Sequence, residues 1–310
     1  MPLSYTNPVY PAYFADPFVF RHGDTYLAVG TGASDDPSRV CPMLRSDDLV
    51  NWEPLGACLV KLPEEYGSDY WAPEIAHSDG LFYLYYSVGF GDSRHHLRVA
   101  TSEEATGPYA DAASLTDSTL VAFAIDGSPF RDDDGEWYFY YATDFMDAVE
   151  GRPGTALVVD RLINMTQLAG QPKTVLRATR DWQRYQAGRT MYGNVWDWHT
   201  LEGPCVVKRE GRYYCFYSGG NWQNDTYGVD FCVATHPCGP FVGADLDHPR
   251  VLKSVPGKVL GPGHNSVVTG PDGMTDYIVY HAWDTDATAR RMCIDPLIWT
   301  PDGPRCAGPS

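Results

Sequence analysis

The chain has 310 residues and a formal net charge of −17; it is 44% hydrophobic and 14% aromatic, with 21 Tyr and 9 Trp. An acidic surface of this size repels nucleic acid and anionic membranes, so a neutral partner is expected and nucleic acid is excluded. No apolar run approaches the about 18 residues of a membrane span, and the opening MPLSYTNPVYPAYF lacks a basic start and an apolar core, so no membrane contact and no secretory leader are expected and the chain reads as cytoplasmic.

Helical periodicity is nearly absent. Short alternating runs rich in Tyr, Val and Phe, broken by Gly, Asp and Pro, predict an all-β protein. The first stretch, "ADPFVFRHGDTYLAVGTG" from Ala15, sets a grammar. A polar residue and a proline open it, a short apolar strand follows, and a turn with Asp and Gly leads into an aromatic strand. Phe14 stands two residues before Asp16 and is expected to border a ligand. The second stretch, "APEIAHSDGLFYLYYSVG" from Ala72, follows Trp71 and contains Glu74. The third, "IDGSPFRDDDGEWYFYYAT" from Ile125, carries Asp126 and an acidic turn, Asp132 to Asp134, that reads as a solvated hairpin. An insertion then ends in "DWQRYQAGRTMYGNVWDWHT", with Trp182, Tyr185, Tyr192, Trp196 and Trp198. A loop this aromatic exposes apolar area unless it packs or binds, so a wall beside Glu202 is expected. The fourth stretch, "HTLEGPCVVKREGRYYCFYSGG" from His199, holds Glu202 and runs on into "GGNWQNDTYGVD", with Trp222 and Asn224. The fifth, "GHNSVVTGPDGMTDYIVYHAW" from Gly263, keeps the polar head, here His264, and the "PDG" turn, but loses the early proline.

The five openings fall roughly 55 to 75 residues apart, a spacing that suits a four-stranded propeller blade with one long loop. A β-sandwich would not explain matching openings in five units. The expected architecture is a five-bladed β-propeller filling residues 1–310 as a single domain. In a propeller the first strand of each blade lines the central axis. Asp16, Glu74, Asp126, Glu202 and His264 are therefore expected at equivalent places around one funnel. The eight cysteines form no CxxC pair, so a zinc knuckle finds no support and buried free thiols are expected.

Several acids around a narrow funnel repel one another and cost stability unless they serve a purpose. Glycoside hydrolysis needs such a group: one acid protonates the leaving oxygen and one base activates water on the other face of the sugar. In order, "ADPFVF", "YWAPEI", "IDGSPF", "LEGP" and "GPGHNS" together resemble glycoside hydrolase family 43, over nearly the whole chain from Asn7 to about Asp302. The resemblance implies a five-bladed propeller and an inverting enzyme acting on plant-derived oligosaccharides, mostly arabinofuranosides and xylosides.

Carried over motif by motif, the resemblance implies that Asp16 is the general base, Glu202 the general acid, and Asp126 the carboxylate that orients the acid and raises its pKa. Trp71, Trp222, Phe14 and Arg290 are expected on the sugar, with Arg291 as the alternative for Arg290. His264 implies either a water-mediated contact to a metal ion or a hydrogen bond to a core group. Glu74 reads as structural or water-binding. No organic cofactor is implied; a structural Ca2+ or Na+ ion in the channel is compatible with the motif. The expected activity is α-L-arabinofuranosidase. β-Xylosidase and endo-arabinanase are the alternatives within the family, and a non-catalytic carbohydrate-binding propeller is the alternative outside it.

Overall fold

The computed structural model describes residues 3–117 and 121–310. Among these residues the only helical pieces are two short 3-10 turns, Glu64–Tyr66 and Asp181–Gln183. The rest of the ordered chain is strand, as the alternation predicts.

Five antiparallel blades follow one another along the chain. Their innermost strands are Ala15–His22, Asp69–Ser78, Ala124–Arg131, Asn194–Arg209 and Leu260–Thr269, and we number the blades I to V accordingly. Each inner strand lies against the next, and that of blade V lies against that of blade I, so the ring closes. The segment before blade I helps to close it. The Val9 and Phe14 N–H groups donate to Met292 and Arg290 carbonyls of blade V, and Asn7 exchanges hydrogen bonds with the backbone of Ile294. Blades III and IV are joined further by a short parallel pairing of Gly154 and Thr155 with His199 and Thr200.

The core is divided into seams between blades. Tyr86 with Val29 fills I/II, Tyr85 with Phe139 fills II/III, Tyr140 with Tyr217 fills III/IV, Phe216 with Tyr280 fills IV/V, and Tyr26 with Tyr277 fills V/I. Flat rings from second strands suit such narrow gaps, and each large buried side chain is worth about 1.5–3 kcal/mol. The phenols do not go unpaired. Tyr85 donates to the Met165 carbonyl at 2.9 Å, Tyr86 to Asp111 at 2.7 Å and Tyr280 to Asp295 at 2.7 Å. All eight cysteines are free thiols. The acidic turn of blade III is not wholly solvated: Asp132 is buried, pairs with Lys208 and accepts the Tyr213 hydroxyl at 2.6 Å.

One local device recurs in all five blades. Every inner strand slips register at its opening: between Ala15 and Phe18, Trp71 and Glu74, Ile125 and Ser128, Glu202 and Cys205, and Gly263 and Ser266. The residue at each bulge has a left-handed backbone: Asp16 (φ 51°), Ala72 (47°), Asp126 (60°), Gly203 (58°) and His264 (49°). Asp and His tolerate this region better than most residues, and glycine occupies it freely. A bulged N–H leaves the ladder and needs another partner. Four of them find it on the preceding blade of the ring. Asp16 donates to His281 Nδ1 (3.1 Å), Ala72 to Thr31 Oγ1 (2.8 Å), Gly203 to Asp126 Oδ2 (2.8 Å) and His264 to Ser218 Oγ (2.7 Å). The bulges therefore lock neighbouring blades together and turn the residue at each opening out of the sheet.

This corrects the expected alignment of the acids. Asp16, Asp126 and His264 are structural equivalents, but the equivalents in blades II and IV are Ala72 and Gly203. Glu202 stands one residue before that position and Glu74 two residues after it.

Candidate active site

One cavity at the mouth of the ring gathers residues from all five blades. Asp16, Trp71, Asp126, Glu202, His264 and Arg290 line it together with Trp222. Phe14 does not: it is fully buried in the seam between blades V and I, edge-on to Tyr10, and so is a core residue, contrary to expectation. Its phenyl ring has no polar tip to draw it toward the wet funnel, and Gly30 leaves the space it fills. Glu74 does not line the cavity either. It hydrogen-bonds Ser128 inside the ring, and burial raises its carboxyl to about 8. Arg291 turns away to pair with Asp284 at 3.0 Å, which resolves the register in favour of Arg290.

Asp16 is held by one guanidinium and two imidazoles. Its Oδ1 lies 3.3 Å from Arg290 Nη1, 3.2 Å from His281 Nδ1 and 3.5 Å from His264 Nδ1. Burial alone would raise its carboxyl, but Arg290, His264 and His281 outweigh it and hold Asp16 well below the usual carboxylate range. Arg290 is fixed in turn: it donates to the Tyr13 hydroxyl at 2.8 Å and lies 4.5 Å from the centre of the Trp222 ring. Trp222 stacks on Trp283, whose indole N–H donates to the Trp222 carbonyl at 2.7 Å. His281 is fully buried, and its pKa is lowered to about 4, chiefly by that burial.

Asp126 and Glu202 have the opposite surroundings. Burial, reinforced by the Glu202 and Asp16 charges, raises Asp126 well above the usual range, opposed by the Gly203 N–H. Burial raises Glu202 to about 7, opposed by a hydrogen bond from the Tyr227 hydroxyl (2.6 Å) and supported by the charge of Asp16. Gly203 is needed beside it. Its backbone has positive φ, and a Cβ there would press to 3.2 Å from the His264 ring. His264 is buried and sits between the two groups, 3.5 Å from Asp16 and 3.9 Å from Asp126, with burial lowering its pKa.

The aromatic insertion forms the remaining wall. It folds as a hairpin of Arg184–Met191 against the long inner strand of blade IV. Tyr185, Arg189, Met191 and Trp198 line the cavity, and Arg189 lies over the Tyr185 ring and donates to Asp92 of blade II at 2.9 Å. Trp182 instead stacks on Tyr217 in the core, and Trp196 is tied to the Met191 carbonyl. Asp144 also faces the cavity, holding Thr155 and Tyr192, and burial raises it to about 6. Sequence reasoning missed Tyr227, His281, Asp92 and Asp144. None of them stands at a repeat opening; a histidine within the aromatic strand "IVYHAW" was the only visible signal.

Among the described residues no three His, Cys, Asp or Glu side chains converge to grip a metal ion directly. The Arg290 guanidinium acts on His264 as well as on Asp16, so a cation beside His264 would meet a positive charge there.

Three acids with divided proton affinities, a buried guanidinium and an aromatic rim make up a site suited to acid–base hydrolysis of a neutral, ring-shaped substrate. Comparison with known proteins agrees. Residues 5–304 match the model of Glycosyl hydrolases family 43. The chain is 29% identical to the β-D-galactofuranosidase xynD of Aspergillus niger, over 96% of this chain and 83% of that protein. It is 26% identical to the extracellular endo-α-(1->5)-L-arabinanase 1 of Bacillus subtilis, over 93% of this chain and 86% of that one. A putative β-xylosidase of Xylanibacter ruminicola is also 26% identical, but the chain spans only 50% of its length. Among solved structures, a thermostable family-43 glycoside hydrolase superposes with a TM-score of 0.85 at 30% identity, covering 99% of this chain and 97% of that one. The chain is thus a five-bladed β-propeller belonging to glycoside hydrolase family 43.

Proposed function

We propose that the protein is an inverting α-L-arabinofuranosidase. The observation that carries this reading is the division of proton affinity in the funnel: Asp16 is pushed down chiefly by the Arg290 guanidinium while Glu202 is pushed up to about 7. At mildly acidic to neutral pH one side chain is then an anion and the other an acid. Glu202 gives its proton to the glycosidic oxygen as the bond to the anomeric carbon breaks. Asp16 takes a proton from water as that water attacks the anomeric carbon from the opposite face. Asp126, anchored on the Gly203 N–H, holds the backbone beside Glu202 in place and keeps a second proton in the funnel. Arg290 binds the ring hydroxyls while keeping Asp16 ionised. Asp16 and Glu202 stand on blades I and IV, which are not neighbours in the ring, so acid and base reach the cavity from different sides, as attack by water opposite the leaving group requires.

The substrate assignment rests on a neutral plant-derived oligosaccharide suiting the aromatic, acidic cavity and on relatives whose names specify arabinan. A second reading follows from the Aspergillus relative. β-D-Galactofuranose has the same ring configuration as α-L-arabinofuranose and adds one exocyclic carbon, so one pocket can be shaped for either. Aryl α-L-arabinofuranoside, aryl β-D-galactofuranoside, aryl β-D-xyloside and linear arabinan, assayed side by side, test the assignment. Turnover of the first with release of the inverted anomer, followed by NMR, is expected. Preference for the second, third or fourth substrate replaces the sugar specificity. Sugar-dependent thermal stabilisation without turnover replaces catalysis with carbohydrate binding.

A further inference from the structure

Tyr227 immediately precedes the blade IV strand Gly228–Ala234 and is fully enclosed. Its ring packs against blade V. It stacks parallel to His281, with centroids 5.9 Å apart and an interplanar angle of 9°. Beside that stack it fills the space left by Gly263, the cross-strand partner of His281, where a Cβ would come within 2.0 Å of the ring. The packing aims its hydroxyl at Glu202, 2.6 Å from Oε1.

The hydrogen bonds behind this contact have a direction. The His264 N–H can only donate, and it donates to Ser218 Oγ at 2.7 Å. The Ser218 hydroxyl proton is then free to point toward Tyr227, and Ser218 acts to lower the phenol's pKa, as a donor facing its oxygen would. Tyr227 spends its own proton on Glu202. The order runs from backbone to serine to tyrosine to carboxyl, and it ends on Oε1 as an acceptor.

We propose that Tyr227 is the positioning residue of the general acid: it occupies Glu202 Oε1 as an acceptor and so keeps the transferable proton on Oε2. This rests on the acid role proposed above for Glu202. The consequence is geometric. A carboxylic acid that could carry its proton on either oxygen would present the wrong one to the leaving group part of the time. The same ring, through His281, packs against the group that contacts Asp16, so acid and base are set from one scaffold.

Tyr227→Phe keeps the stack and removes only the hydroxyl. The expected result on an arabino-oligosaccharide is a fall in kcat of about tenfold to a hundredfold with KM nearly unchanged, as for loss of an interaction felt in the transition state. Aryl substrates with strongly acidic leaving groups are expected to lose far less. The alkaline limb of kcat/KM moves to higher pH, because a donor that favours the ionised carboxylate is gone. The other groups facing Glu202, namely Asp16, Asp126, Asp92, Arg290 and Tyr185, are unchanged in this variant. Ser218→Ala, which leaves ring and phenol in place, is expected to show the same pattern to a smaller degree and carries the test if Tyr227→Phe folds poorly. Equal loss on all leaving groups with an unmoved alkaline limb makes Tyr227 a packing residue and overturns the proposal, as does wild-type activity. Glu202→Ala separates this from failure of the underlying reading. If it shows leaving-group dependence and Tyr227→Phe does not, only the positioning role falls; if Glu202→Ala shows none, the acid assignment falls first.

Discussion

The two sides of the funnel use the same functional group to opposite ends. On the side formed by blades V and I, a carboxylate is surrounded by Arg290, His264 and His281 and is kept ionised. On the side formed by blades III and IV, two carboxyls have burial, the charge of Asp16, one backbone N–H and one phenol, and both hold protons more tightly than usual. Residue type does not set the role, since aspartate occurs on both sides. The neighbours set it, and three of them, Arg290, His281 and Tyr227, stand away from the repeat openings.

The largest effect expected from disturbing this contrast is at Asp16. Asp16→Ala removes the proposed base from the charged side, and kcat is expected to fall on every substrate by about 10³-fold or more, good leaving groups included. Glu202→Ala strikes the other side and is expected to be selective. Natural oligosaccharides lose roughly 10²–10⁴-fold in kcat, while activated aryl glycosides lose little, because their leaving groups need no proton. Equal damage on both substrate types would erase the distinction between the two sides. Arg290→Gln tests the tuning itself. It removes a cation that holds the Asp16 pKa down, so the acid limb of the kcat/KM profile is expected to move to higher pH, along with a roughly tenfold or greater loss in kcat/KM from weaker sugar binding.

The unmodified protein gives a milder test. With Glu202 as the proposed acid, kcat/KM is expected to be level below neutrality and to fall as pH rises through about 7. A profile still rising at pH 8 would contradict the protonated side. The smallest effect is on stability, at Glu74. Its folded pKa of about 8 lies above its ordinary 4.5, so folding favours its protonated form. That contribution is complete below about pH 4.5 and is lost as pH climbs through 8. Glu74→Gln is expected to flatten the fall in Tm between pH 5 and pH 8, by about 2–4 °C for each kcal/mol involved.

Most of the fold was legible in the sequence because its signal is repeated. Five openings with their hairpin turns mark five inner strands, and each aromatic second strand marks a seam between blades. The three acids were legible for the same reason. What was not legible was register. Glu74 looks like a partner of Asp16 until the bulges show that Ala72 and Gly203 occupy the equivalent places. A left-handed alanine leaves no mark in a sequence. Phe14 sits near Asp16 in the chain, yet the bulge turns Asp16 into the funnel while Phe14 packs into the core. Tyr227, His281 and Asp92 act through tertiary contacts from second and third strands and from loops, where tyrosines and histidines are otherwise plain core or surface residues.

Asp16 and Arg290 stand 274 positions apart, one on the first blade and one on the last. His264 and His281, its other partners, also belong to the last blade. A nascent chain leaving the ribosome therefore holds an ordinary aspartate until the strands of blade V have been made. The chemistry switches on only when the final strands swing round to meet the first, so truncated or half-built products carry the fold's parts without its reactivity.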